Sequence, residues 1–81
     1  MKTKLYEHVF VVTGEDDGRN AWRYGSWVFN DKKNISMHLC SYHNKQDAES
    51  LHNIAVNLAI ASIPENKKHL LTESLRLQPK G

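Results

Sequence analysis

The chain predicts an α+β fold: a three-stranded antiparallel β-meander packed against one long helix, then a second, short helix. Three observations predict it. Residues 4–42 hold three stretches of strand-like alternation separated by polar turns. After Asn44 the apolar period changes from two to the helical 3.6. Pro64 then ends the helical run and leaves room for one further element.

Residues 4–13 are rich in β-branched and aromatic side chains, with Leu5, Val9 and Val11 on one face and Tyr6, His8, Phe10 and Val12 on the other. Residues 14–20 form a polar loop with a glycine near each end. Residues 21–29 read as a second strand, and Gly25 in its middle marks a bulge or a close neighbour. Residues 30–34 are a turn. Residues 35–42 alternate cleanly, with Ile35, Met37 and Leu39 on one face and Ser36, His38, Cys40 and Tyr42 on the other.

Asn44 or Asp47 supplies a cap for a helix starting near Gln46. Ala48, Leu51, Ile54, Ala55, Leu58 and Ala61 fall at helical spacing. Val56, Ala59, Ile60 and Ile63 widen the apolar face, so the second half of the helix is expected to be deeply buried. Residues 62–65 read as a capping box that opens the second helix, with Leu70, Leu71, Ser74 and Leu75 inward. The alternative is a fourth strand at residues 70–77, with Glu73 intruding between Leu71, Leu75 and Leu77.

A length of 81 residues is read as a single small domain spanning residues 1–81. Hydrophobic residues at 40% and charged residues at 25% argue against disorder. The formal charge of +2 gives no strong basic field, which weakens nonspecific binding to nucleic acid or acidic membranes. Cys40 is the single cysteine, so no internal disulfide forms, which fits a reducing cytoplasm. The apolar stretch at residues 54–63 is short and interrupted by Asn57 and Ser62, so no membrane span is expected.

A lone sheet needs only one apolar face, yet both faces here carry large side chains. If the helix covers Val9, Val11, Ile35, Met37 and Leu39, the opposite face displays Tyr6, His8, Phe10, His38 and Tyr42. The second strand adds Trp22 and Tyr24, or Trp27 and Phe29, according to register. Either the C-terminal segment folds over this face or the rings are a contact surface. Three uses compete for an open face. One is a homodimer formed by stacking two such aromatic faces. Another is docking of a different protein on Trp22, Arg23 and Tyr24. The third is stacking of nucleotide bases with Arg23 beside them.

Charged loops offer further candidates. Glu15, Asp16 and Asp17 form an acidic tip that is a solvated turn by default and a phosphate mimic towards a basic partner otherwise. Lys32 and Lys33, with Lys67, Lys68 and His69, are the basic clusters. They would make a phosphate-contacting patch only if the fold gathered them near Arg19 or Arg23.

The segment from His38 to His43 is the densest local set of chemical groups. On a regular strand His38 and Cys40 share a side and His43 follows at its end. With water these three would resemble an open zinc site, and His8 or His52 could supply a fourth ligand only if the fold places it nearby. The spacing fits no established finger, and a buried cysteine beside ordinary histidines is the better reading. Cys40 as a nucleophile lacks the helix N-terminus that activates a thiol. No catalytic constellation is present. The expectation is therefore a cytoplasmic, non-catalytic protein-binding module with no cofactor and no metal. It would be a small inhibitor or adaptor of the phage regulatory type, acting on a larger protein or protein–nucleic-acid complex. The alternative is a small nucleic-acid-binding domain that uses the aromatic face and the basic turns.

Overall fold

The computed structural model describes residues 1–16 and 23–76. These residues form a four-stranded antiparallel sheet in the order β1 (Lys2–Tyr6), β2 (Val9–Glu15), β3 (Tyr24–Asn30) and β4 (Ile35–Tyr42). One long helix, α1 (Lys45–Ala61), lies across β2, β3 and β4. A 3-10 helix at Glu65–Leu70 and a short helix, α2 (Glu73–Arg76), complete the chain order. The α+β meander, the long helix and the short second helix are as the sequence predicts.

The strand count differs because residues 4–13 hold two strands. The chain reverses at Glu7 and His8, with Glu7 at φ 44°. Alternation runs unbroken through this point, and neither residue is one of the Gly, Asn or Asp types that announce a hairpin turn. The additional strand is thus N-terminal, and residues 73–76 are helical.

Two bulges decide which side chains meet the helix. Lys4 pairs with Phe10 and Tyr6 with Val9, so Leu5 is an extra residue in β1. Ser26 pairs with Cys40 and Trp27 with His38, so Leu39 is an extra residue in β4. Each extra residue shifts the alternation by one. Tyr6 therefore packs against the core, and Cys40 and Tyr42 turn to the helix side. Two expectations are corrected here: Tyr6 and Tyr42 are not on the open face, and His38 and Cys40 do not share a side.

The core joins Leu5 and Val11 of the sheet to Ala55, Val56 and Ala59 of α1, and to Ile63, Leu71 and Leu75 beyond it. Small alanines let α1 lie close on the sheet. Its start is fixed by Asn44, whose side-chain oxygen accepts from the Asp47 N–H at 2.8 Å. Its end is closed by Ser62, whose hydroxyl donates to the Ala59 carbonyl at 2.7 Å. Ser62 is thus a terminator and not a capping box, and the 3-10 helix begins at Glu65 after Pro64, which gives it no side-chain cap. Leu71 and Leu75 are buried, and the Thr72 N–H donates to the Leu5 carbonyl at 2.8 Å. The C-terminal segment is thereby fastened along β1, with its apolar residues in the same core as α1.

The buried stripe of α1 also differs from the expected one. Ala48, His52, Ala55, Val56 and Ala59 face the sheet, while Leu51, Ile54 and Leu58 remain 39%, 54% and 49% exposed. The sheet presents hydroxyls, not methyls, under the first half of α1, and His52 is the side chain that satisfies them. Among the described residues no helix is long and apolar enough to cross a membrane.

Candidate binding face

The sheet face opposite α1 is built by alternation from all four strands. Phe10 and Val12 come from β2, Trp27 and Phe29 from β3, and Ser36 and His38 from β4, and the register sets them side by side. Phe10 lies opposite Phe29, Val12 opposite Trp27, and Trp27 opposite His38. Lys4 pairs with Phe10 and Lys2 with Val12, so both lysines of β1 stand on this face. All four large apolar side chains are half-buried and the lysines are exposed. Because α1 and the C-terminal apolar residues occupy the other side, no described segment packs over the rings.

Trp27 is positioned by its neighbours. Its six-membered ring lies over Gly25, where an added Cβ would fall 2.9 Å from the ring tip, 3.1 Å from the adjoining ring carbon and 3.2 Å from the Cys40 carbonyl. The glycine in mid-strand is thus explained by a close neighbour. On its other flank Trp27 meets the His38 ring edge-on, centroids 5.7 Å apart. His38 Nε2 is held by a hydrogen bond with the Ser41 hydroxyl at 2.9 Å. At the β1 edge the Lys2 ammonium sits 4.3 Å from the centre of the Phe10 ring, a cation–π contact. Lys2, Val12, Trp27, Phe29 and Ser36 border a shallow open depression of about 460 Å³. Among the described strand residues of this face, charge is positive and no carboxylate intervenes.

The other sequence candidates are scattered. Tyr24 pairs with Glu15 and Tyr42 on the helix side and lines a cleft with Met1, Thr13, Lys45, Ala48 and Glu49. Arg23 is exposed, and its carbonyl accepts from the Asp16 N–H at 2.9 Å at the mouth of the β2–β3 connection. Glu15 is exposed at that same end of the sheet, whereas Lys32 and Lys33 are exposed in the turn at the far end. A seven-residue strand, roughly 20 Å, separates Arg23 from that turn, so a joint basic patch does not form there. Trp22, Asp17 and Arg19 lie outside the described residues. Cys40 faces the core side while His38 faces the open side. Among the described residues, no group of three or more His, Cys, Asp or Glu side chains is arranged to hold a metal ion.

A second assembly, under α1, was not legible as a site. Thr3 of β1, Thr13 of β2, Ser26 of β3, Tyr42 of β4 and His52 of α1 form one chain of hydrogen bonds. Thr3 Oγ1 is 2.7 Å from His52 Nε2, and Thr13 Oγ1 is 2.6 Å from His52 Nδ1. Thr13 is in turn 2.5 Å from the Ser26 hydroxyl, which is 2.9 Å from the Tyr42 hydroxyl. Every strand and the helix contribute one member, so the network ties the helix to the whole sheet. Burial, aided by the Met1 ammonium, holds the His52 imidazole below its ordinary pKa of 6.5. Burial likewise pushes the Tyr42 phenol above 10.0, against an opposing pull from Ser26. The signal in the sequence was one histidine at helical spacing within an apolar stripe, together with Thr13 and Ser26 at inward strand positions.

Comparison with known protein families, with characterised proteins and with solved structures found no match to this chain.

Proposed function

We propose that this chain is a non-catalytic binding module that docks another protein on its open sheet face, with Trp27 and Phe29 as anchors and Phe10, Val12 and His38 around them. The observation that carries this reading is the row of half-buried rings on a sheet face that no described segment covers. Aromatic side chains that are rigid, adjacent and partly desolvated are the usual centres of protein interfaces. Trp27 is held between Gly25 and His38, so little side-chain freedom remains to be lost on docking. An inhibitor or adaptor acting in the cytoplasm fits a small chain with such a face. The acidic residues Glu15 and Asp16 lie at one end of the sheet, where they would add steering towards a basic partner.

A second reading has its own support. Lys2 and Lys4 stand beside Phe10, Trp27 and Phe29 with no carboxylate among them, the combination that single-stranded nucleic acid uses for phosphate contact and base stacking. One experiment separates the two. Immobilised wild-type chain and a Trp27→Ala, Phe29→Ala variant are exposed to host lysate before and after nuclease treatment, and to single-stranded oligonucleotides across a salt series. Nuclease-resistant capture of a protein by wild type and not by the variant supports docking. Oligonucleotide binding that weakens steeply with salt, lost in the variant and in Lys2→Ala, Lys4→Ala, would replace it with the second reading. Equal capture by wild type and variant would remove the open face from consideration.

A further inference from the structure

The two edges of the sheet are built differently. β1 carries Lys2 and Lys4, and its Leu5 carbonyl is taken by the Thr72 N–H of the C-terminal segment. Lysines and a covering segment are ordinary protections of an edge strand. The other edge is β4, eight residues long, with no Lys, Arg, Asp, Glu or Pro in it. Alternate N–H and C=O groups of such a strand point away from the sheet.

On the helix side of this edge Ile35 and Met37 are 60% and 56% exposed. On α1, Leu51, Ile54 and Leu58 form an exposed row at one-turn spacing. The opposite flank of α1, at Lys45 and Glu49, borders Met1 and the end of β2, so the row looks out on the β4 side. A strand edge that no described segment pairs with and an apolar helix flank therefore share one corner of the molecule.

We infer that a second copy of this chain covers that corner, with two β4 strands pairing antiparallel about a two-fold axis and the Leu51, Ile54 and Leu58 rows packing beside Ile35 and Met37. Pairing about a two-fold sets a strand against itself, so a charge near the axis meets its own copy. β4 holds no Lys, Arg, Asp or Glu and satisfies this condition; β1, with its lysines, does not. Area points the same way. Five half-exposed Ile, Met and Leu side chains offer on the order of 400–500 Å² of apolar surface, at the upper range for a monomer. With the strand edge added, the corner approaches the about 800 Å² per partner of a stable interface. The pairing would continue the sheet from one copy into the next and set two aromatic faces side by side. Its apolar contacts at Ile35, Met37, Leu51, Ile54 and Leu58 lie on the helix side, apart from the rings of the open face, so it stands or falls separately from the docking function.

Sedimentation velocity on the full chain, from micromolar to submillimolar concentration, tests this. The expected species is twice the 9.3 kDa chain mass. Met37→Lys with Leu58→Lys should raise the dimer dissociation constant at least a hundredfold while leaving the far-ultraviolet circular dichroism unchanged, since both side chains are half-exposed in the single chain. Hydrogen exchange on wild type gives an answer independent of that variant: β4 amides should gain protection as concentration rises, and β1 amides should not. Wild type that stays at 9.3 kDa throughout overturns the inference. So does a dimer that survives the two lysines in a folded variant, or one dispersed by Trp27→Ala, Phe29→Ala instead.

Discussion

Replacing His52 by alanine should be the most damaging single change to the polar layer beneath α1. The imidazole is 2% exposed and bonds Thr3 and Thr13 at 2.7 and 2.6 Å. Truncation removes most of a buried ring, worth about 2–3 kcal/mol in lost packing and residual cavity. It also leaves the Thr3 hydroxyl without that partner and Thr13 with Ser26 alone, adding about 1 kcal/mol. The sum, about 3–4 kcal/mol, is a large part of the about 4–12 kcal/mol that a chain of this length holds. Urea unfolding followed by circular dichroism should show a lowered midpoint with an unchanged slope. The pH dependence sharpens the test. The folded-state pKa of His52 lies below 6.5, so the unfolded chain takes up the proton first as pH falls. The stability that His52 contributes is fully present above its unfolded pKa. It declines as pH drops towards the folded value, by at most about 1.4 kcal/mol per pH unit. The gap between wild type and His52→Ala should therefore narrow from pH 7.5 to pH 5. A loss under about 1 kcal/mol, or a gap that widens on acidification, would refute the assignment of His52 as the neutral clamp between sheet and helix.

Other changes test neighbouring features. Gly25→Ala places a methyl 2.9 Å from the Trp27 ring tip, so the ring must move while the fold survives. Far-ultraviolet circular dichroism should be retained, tryptophan emission should shift, and any partner affinity should fall; unchanged emission would contradict the packing. Asn44→Ala removes the hydrogen bond to the Asp47 N–H and should lower stability by about 1 kcal/mol, read from the urea midpoint, whereas Asn44→Ser should recover most of it. Loss of stability equal for alanine and serine would mean that the cap is not the reason.

The sequence exposed the elements more readily than their faces. Period-two alternation located the strands of residues 24–42, and the shift to helical spacing after Asn44 located α1, because both patterns follow from burial on one side. The β1–β2 turn was hidden, since Glu7 adopts a positive φ without a residue that favours one. The faces were misread wherever a bulge intervened. Leu39 carries Cys40 and Tyr42 to the helix side, and Leu5 carries Tyr6 to the core; an extra residue leaves no mark in the alternation of its own strand. The helix stripe was misassigned for a chemical reason. Leu51, Ile54 and Leu58 outrank His52 in hydropathy, but the hydroxyls of Thr3 and Thr13 need a polar partner, and His52 supplies it. The open face was half legible. Phe10 and His38 were expected there, Trp27 and Phe29 were one of two registers, and Lys2 and Lys4 went unnoticed because the hairpin that brings them was unseen.

The decisive measurement is the affinity of the captured partner for wild type and for Trp27→Ala, Phe29→Ala, with the stability of both chains measured in parallel. If the rings serve a second molecule and not the interior, affinity should fall at least a hundredfold while the variant unfolds within about 1–2 kcal/mol of wild type. Full affinity in the variant, or a collapse of its stability that accounts for the lost binding, would show that these rings belong to the fold alone.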